Sequence, residues 1–277
     1  MGNAVKAEFR KIFSTKMWWA LLIPAAAVSL LVNLGLALAV KGGEEVSGVS
    51  VPVPVALISL GISFTFTAIF AAIFGAMAIS GEFRHRTIST TYLTSASRGT
   101  VLTAKLIAYT MLGLIYGVVT LGCATIGAVA GDGSNALPTG TSWLLLSLVG
   151  IVVIVLWTLL GVGLGGLISN QIAAVVVLLA YGLAGEAILG VVLNALKATS
   201  VGFYLPRNAA SDTVVEFSFD QFIKQAPALS GAQIDDVKSA FGALGVPSWW
   251  VSGLVFVAYA AVFTLLGWAI SRRRDIS

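Results

Sequence analysis

The block Gly81-Glu82-Phe83-Arg84-His85-Arg86-Thr87-Ile88-Ser89-Thr90-Thr91-Tyr92, running on to Arg98, gathers the side chains best suited to ionic contact with a partner. It holds the only histidine, His85, with one carboxylate and three arginines, and it interrupts two long apolar runs. Such a set can meet an acidic protein groove or the phosphate headgroups of a membrane leaflet. Catalytic chemistry is absent from the usual patterns. No Gly-rich loop leads into Lys-Ser or Lys-Thr, so ATP would not be held by a Walker-type loop. One histidine is too few for a paired-histidine metalloprotease helix, and no Gly-x-Ser-x-Gly elbow occurs. The single cysteine, Cys123, excludes an intrachain disulfide or a cysteine metal cluster. Glu186 is the one carboxylate deep in an apolar run, whereas catalysis by embedded acids would need more than one. The chain is therefore not expected to be an enzyme, nor to hold a cofactor or metal of its own.

The elements that must position these residues are membrane helices. The sequence of 277 residues is 58% hydrophobic and 10% charged, with mean hydropathy +0.97. A soluble domain carries roughly one-quarter charged residues. Spanning the hydrocarbon takes about 20 apolar residues in a helix, because every backbone donor and acceptor must be satisfied internally. Residues 17–40, 55–80, 101–130, 142–169, 172–193 and 249–271 meet that length. None alternates apolar with polar residues as barrel strands do. The expected fold is an all-α integral membrane bundle of six transmembrane helices in one domain, residues 1–277.

Lys and Arg set the orientation, since cytoplasmic loops keep an excess of them. With the amino end inside, the inner side takes Lys6, Arg10, Lys11, Lys16, Arg84, Arg86, Arg98, Lys105, Arg272, Arg273 and Arg274. The outer side takes Lys41, Lys197, Arg207, Lys224 and Lys238, four of them in one long segment that the rule weights weakly. Both termini are expected in the cytoplasm, and the net charge of +4 is then a topology signal with no nucleic-acid partner implied. The first apolar run exceeds the 7–15 residues of a secretory leader core, so it is expected to be retained.

Residues 1–16 place Val5, Phe9, Ile12 and Phe13 at helical spacing, with Lys6, Arg10 and Lys11 elsewhere around the turn, as in an amphipathic helix lying on the inner surface. Residues 81–100 read as a short helix starting at Ser80 or Gly81, with Glu82 paired to Arg86 four residues on. Residues 194–248 form an outer segment broken by Pro206 and Pro227, with a short capped helix after Ser230 and enough aromatic content to fold as a partly re-entrant cap. Residues 272–277 are a basic tail.

Inside the spans, Glu186 is either a functional carboxylate at the bundle interior or one hydrogen-bonded to a neighbouring helix. Asn33 reads as an interhelical hydrogen-bonding residue. Gly161-Val162-Gly163-Leu164-Gly165-Gly166 matches the dinucleotide fingerprint literally, but that motif works only at a strand-to-helix turn. Gly161 with Gly165, and Gly113 with Gly117, instead allow close helix crossings or a dimer seam.

The interfacial basic helix, six spans with both ends inside, the Gly-Glu-Phe-Arg-x-x-Thr-Ile block and the outer Tyr204-Leu205-Pro206 together resemble permease subunits of type-2 ABC transporters, exporter-like, over essentially the whole chain. The resemblance implies an elbow helix over residues 5–15 and a coupling helix over residues 82–94. Glu82, Phe83, Arg84, Arg86 and Thr87 would there meet a separate ABC ATPase that binds ATP and Mg. It further implies a permease homodimer or heterodimer in the plasma membrane of a prokaryotic cell, embedded in the lipid bilayer. Its cargo would be an amphipathic or lipid-like drug, peptide or lipid. A gating or passage role for Glu186 follows from the same likeness. The very short inner turn Ser169-Asn170-Gln171 departs from the family and leaves one main inner docking site per chain. Two other classes stay open: an ion-coupled secondary transporter using Glu186, and a non-transporting scaffold or sensor subunit.

Overall fold

A computed structural model describes residues 1–47, 55–85, 87, 97–133, 137–138, 140–225, 231–240 and 244–273. Among them every regular element is helical. The helices are α1 (Gly2–Ser14), α2 (Met17–Ser47), α3 (Val55–Arg84), α4 (Arg98–Asp132), α5 (Ser142–Leu167), α6 (Gln171–Ala180), α7 (Glu186–Ala195), α8 (Thr199–Gly202), α9 (Pro206–Gln225), α10 (Gly231–Ala240) and α11 (Trp249–Arg273). A single π-helical turn, Tyr181–Gly185, joins α6 to α7. Six helical stretches are long and apolar enough to cross a membrane: α2, α3, α4, α5, the α6–α7 unit and α11. Local signals explain their starts. Ser97 accepts from the Thr100 amide at 3.1 Å, and Asn170 accepts from the Ile172 and Ala173 amides at 3.0 and 3.1 Å. Both are N-caps that satisfy otherwise orphaned donors.

The central helix is α3, which packs against α2, α4, α5, α6 and α9. Between membrane helices, lipid removes the hydrophobic driving force, so close approach and buried polar bonds must hold the bundle. Both devices are present. A side chain at Gly161 or Gly165 would run into the backbone carbonyls of Ala72 and Ala76 on α3. One at Gly113 or Gly117 would sit 2.9 Å from Thr158 Oγ1 or 2.7 Å from Ile151 Cγ1 on α5. All four glycines thus serve crossings within the chain, and none remains for a dimer seam. Asn33, fully buried, donates to Ser63 Oγ and to the Ser29 carbonyl at 2.8 Å each and accepts from Ser59 Oγ at 2.6 Å, tying α2 to α3.

The segment after the fifth span folds as helices, with α9 embedded in the bundle. Ala210, Val214, Phe217 and Phe222 of α9 are buried, and it packs on α11, α3 and α5. Ser218 donates to the Leu57 carbonyl at 2.6 Å, and Ser142 donates to Gln221 Oε1 at 2.9 Å. The C-terminal half of α9 therefore lies level with the starts of α3 and α5. Its N-terminal residues Arg207 and Ala210 line a cavity with Ile69, Ala72 and Trp157, which lie near the middles of those helices. The helix runs from mid-depth to one end of the bundle.

Candidate functional site

At the end of the bundle bearing α1, four charged side chains from three helices converge. Lys105, 2% exposed on α4, donates to Glu8 Oε2 at 2.8 Å and to Glu82 Oε1 at 2.7 Å. Lys11 donates to Glu8 Oε1 at 2.9 Å and to the same Glu82 oxygen at 2.7 Å. Two ammonium groups and two carboxylates alternate around a closed ring of contacts that is formally neutral. Removing a charge from water costs several kcal/mol, and only close pairing with good hydrogen bonds offsets that. Burial pulls the Lys11 ammonium down in pKa, but the hydrogen bond and charge of Glu82, with the charge of Glu8, outweigh it and hold the group above the ordinary lysine value.

The ring changes where several expected residues sit. No helix begins at Ser80 or Gly81; α3 continues to Arg84, with the His85 amide bonded to the Gly81 carbonyl at 3.0 Å. Glu82 is buried at 8% exposure and its bonded oxygen is committed to Lys11 and Lys105, while Arg86, its expected partner, lies outside the described residues. A carboxylate facing two lysines at under 3 Å has no reason to turn to solvent. Phe83 is half-buried against the core, and Arg84, His85 and Thr87 are exposed. Most of the expected coupling helix, residues 88–94, is also outside the described residues. On α1, Ile12 is buried, Val5 and Phe9 are half-buried and Phe13 is exposed, stacking on Phe9 and meeting Trp18 edge-on. Sequence reasoning missed Glu8 and Lys105. Glu8 lies one turn before Ile12 on the inward face, and Lys105 lies two turns into a span, which was the available signal.

A second polar cluster sits deeper. Glu186 is 4% exposed and follows the π-turn directly. Its Oε1 accepts from the Arg207 backbone amide at 2.6 Å and from the Tyr181 hydroxyl, and its Oε2 accepts from the Asn208 amide at 2.8 Å. Arg207 and Asn208 are the second and third residues of α9, whose first is Pro206. Proline suits that position because its missing donor would be orphaned anyway, and a carboxylate at a helix N-terminus is favoured by the helix dipole. Glu186 is thus a cap supplied from another helix. Asn208 Nδ2 adds a bond to the Gly202 carbonyl at 3.0 Å. One turn further along α9, Asp212 Oδ2 is buried without a partner, and Glu216 follows a turn later. Glu216 is itself paired to Lys238 of α10 at 2.8 Å.

Six apolar spans around a dense helical core, with an amphipathic helix pinned at one end, define a multi-pass membrane protein with no cluster of metal-binding side chains among the described residues. The chain belongs to the ABC-2 family transporter proteins, whose family model matches residues 4–185. That match covers α1 from residue 4, the first four spans, the four ring residues Glu8, Lys11, Glu82 and Lys105, and the fifth span up to the residue before Glu186. No curated protein matches the chain.

Proposed function

We propose that the chain is the membrane-spanning subunit of an ATP-driven ABC exporter, moving an amphipathic or lipid-like molecule across the plasma membrane of a prokaryotic cell. Two such chains, alike or paired with a homologue, form the pathway, and the face between them lies among the outward apolar side chains of the peripheral spans. Both termini and residues 82–94 face the cytoplasm, where a separate ATPase binds ATP and Mg. The observation that carries this reading is the ring of Glu8, Lys11, Glu82 and Lys105 immediately before Phe83 and Arg84. A partner pushing on the end of α3 there pushes on α1 and α4 at the same time. In this arrangement Glu82 acts from within as the anchor of the docking segment. Phe83 supplies the apolar contact and Arg84, Arg86 and Thr87 the polar ones, with the aromatic dominant as in most interfaces.

Energy enters only if the ATPase binds the two forms of the permease with different affinity. Glu186 contributes by holding the start of α9 in one of those forms. Its oxygens are occupied by two backbone amides and a hydroxyl, so no observation favours a proton-carrying role. Purification of the chain from its native membrane tests the proposal. A Walker-motif ATPase is expected to accompany it, and Phe83→Ala is expected to reduce that ATPase at least several-fold while membrane insertion is unchanged. Recovery of the chain without any ATPase, or undiminished recovery with Phe83→Ala, contradicts it.

A further inference from the structure

Arg207 stands out among the described basic residues by its depth and by a buried nitrogen without a partner. The cavity it lines includes Thr65 and Ile69 of α3, Trp157 of α5 and Leu178 of α6, all near the middle of their spans. Its side chain makes no hydrogen bond or ion pair among the described residues, and its Nε is buried without a partner. None of the neighbouring carboxylates pairs with it: Glu186 bonds backbone amides and Tyr181, Glu216 pairs with Lys238, and Asp212 Oδ2 is itself buried without a partner. An ionisable side chain at membrane depth is costly and ordinarily paired, and one left open marks a substrate or ion path.

The surroundings say what kind of molecule would answer it. The cavity holds about 20 Å³, room for about one water. On the other side of Val153, an apolar groove of about 460 Å³ opens at the bundle surface between α5, α9 and α11, walled by Leu148, Val152, Leu156, Trp250, Leu254 and Val257. The two spaces share Val153 and are both bordered by α9. We propose that Arg207 receives the anionic headgroup of the transported amphiphile while its single alkyl chain lies in this groove. The assignment rests on the exporter reading and narrows its cargo to anionic single-chain amphiphiles. The present cavity is too small for a phosphate or carboxylate, so the headgroup enters as α9 separates from the fifth span.

The full chain in phosphatidylcholine nanodiscs, loaded with nitroxide-labelled dodecyl phosphate, provides the test. Quenching is read as the difference between the native chain and Trp157→Phe, because Trp157 lines the cavity. Unlabelled dodecyl phosphate is expected to displace the probe at about tenfold lower concentration than dodecyltrimethylammonium or dodecanol. Arg207→Gln removes that preference and Arg207→Lys retains part of it. Equal displacement by all three competitors in the native chain, read against Trp157→Phe, overturns the proposal, and that result needs no Arg207 variant. Persistence of the preference in Arg207→Gln overturns it as well. A chain that holds its ATPase but shows no preference sinks this inference alone, whereas a clear preference in a chain with no ATPase supports the Arg207 site and counts against the exporter reading.

Discussion

The ring at the α1 end and the cap around Glu186 both bury carboxylates, but they satisfy them in opposite ways. Glu8 and Glu82 are held by the formal charges of two lysines, whereas Glu186 is held chiefly by backbone amides at the start of α9. The ring therefore ties three helices together at once, and losing its buried lysine leaves two buried carboxylates short of a partner. The cap fixes one helix end and can be released at lower cost. Under the proposed function, the first design suits an end that takes force from a docked ATPase, and the second suits a helix that moves as cargo passes.

The largest expected effect comes from Lys105→Met, which leaves Glu8 and Glu82 buried with only the half-exposed Lys11. Breaking a buried pair costs about 3–5 kcal/mol, so thermal unfolding in detergent should fall sharply. Adding Glu82→Gln should recover part of the loss; a single variant as stable as the native chain would show that the ring is not held by charge. Glu186→Ala should cost about 1–2 kcal/mol, as loss of a helix cap does. Its signature is faster hydrogen exchange at the amides of Arg207 and Asn208, with α1 unaffected. Equal acceleration at both ends of the bundle would erase the contrast between the two clusters.

Lys11→Met should have the smallest effect, under about 1 kcal/mol, because its side chain is 43% exposed and Lys105 still bridges both carboxylates.

Six spans, the helical class and the amphipathic start were legible because length and apolar period report them directly. Asn33 and the paired glycines were legible for the same reason: a small or amide side chain in an apolar run has few uses other than packing and interhelical bonding. The ring was not. Its two carboxylates are separated by 97 and 23 residues from Lys105, and a lysine near a helix start reads first as a topology charge. Glu8 was hidden in a helix whose polar face already looked explained. Glu186 stood out by type, yet its role depends on the start of a helix 21 residues away that only tertiary folding brings beside it. Arg207 was read as an outer-loop charge because nothing in the sequence shows that α9 begins at mid-depth.

Photo-crosslinking in native membranes tests the division between the two ends most directly, with the same photoreactive amino acid placed at position 84 in one chain and at position 224 in another. The account predicts that a Walker-motif ATPase is captured from position 84 and not from position 224, at the far end of α9. Capture from position 224, or from neither position in membranes that contain the assembled complex, would contradict it.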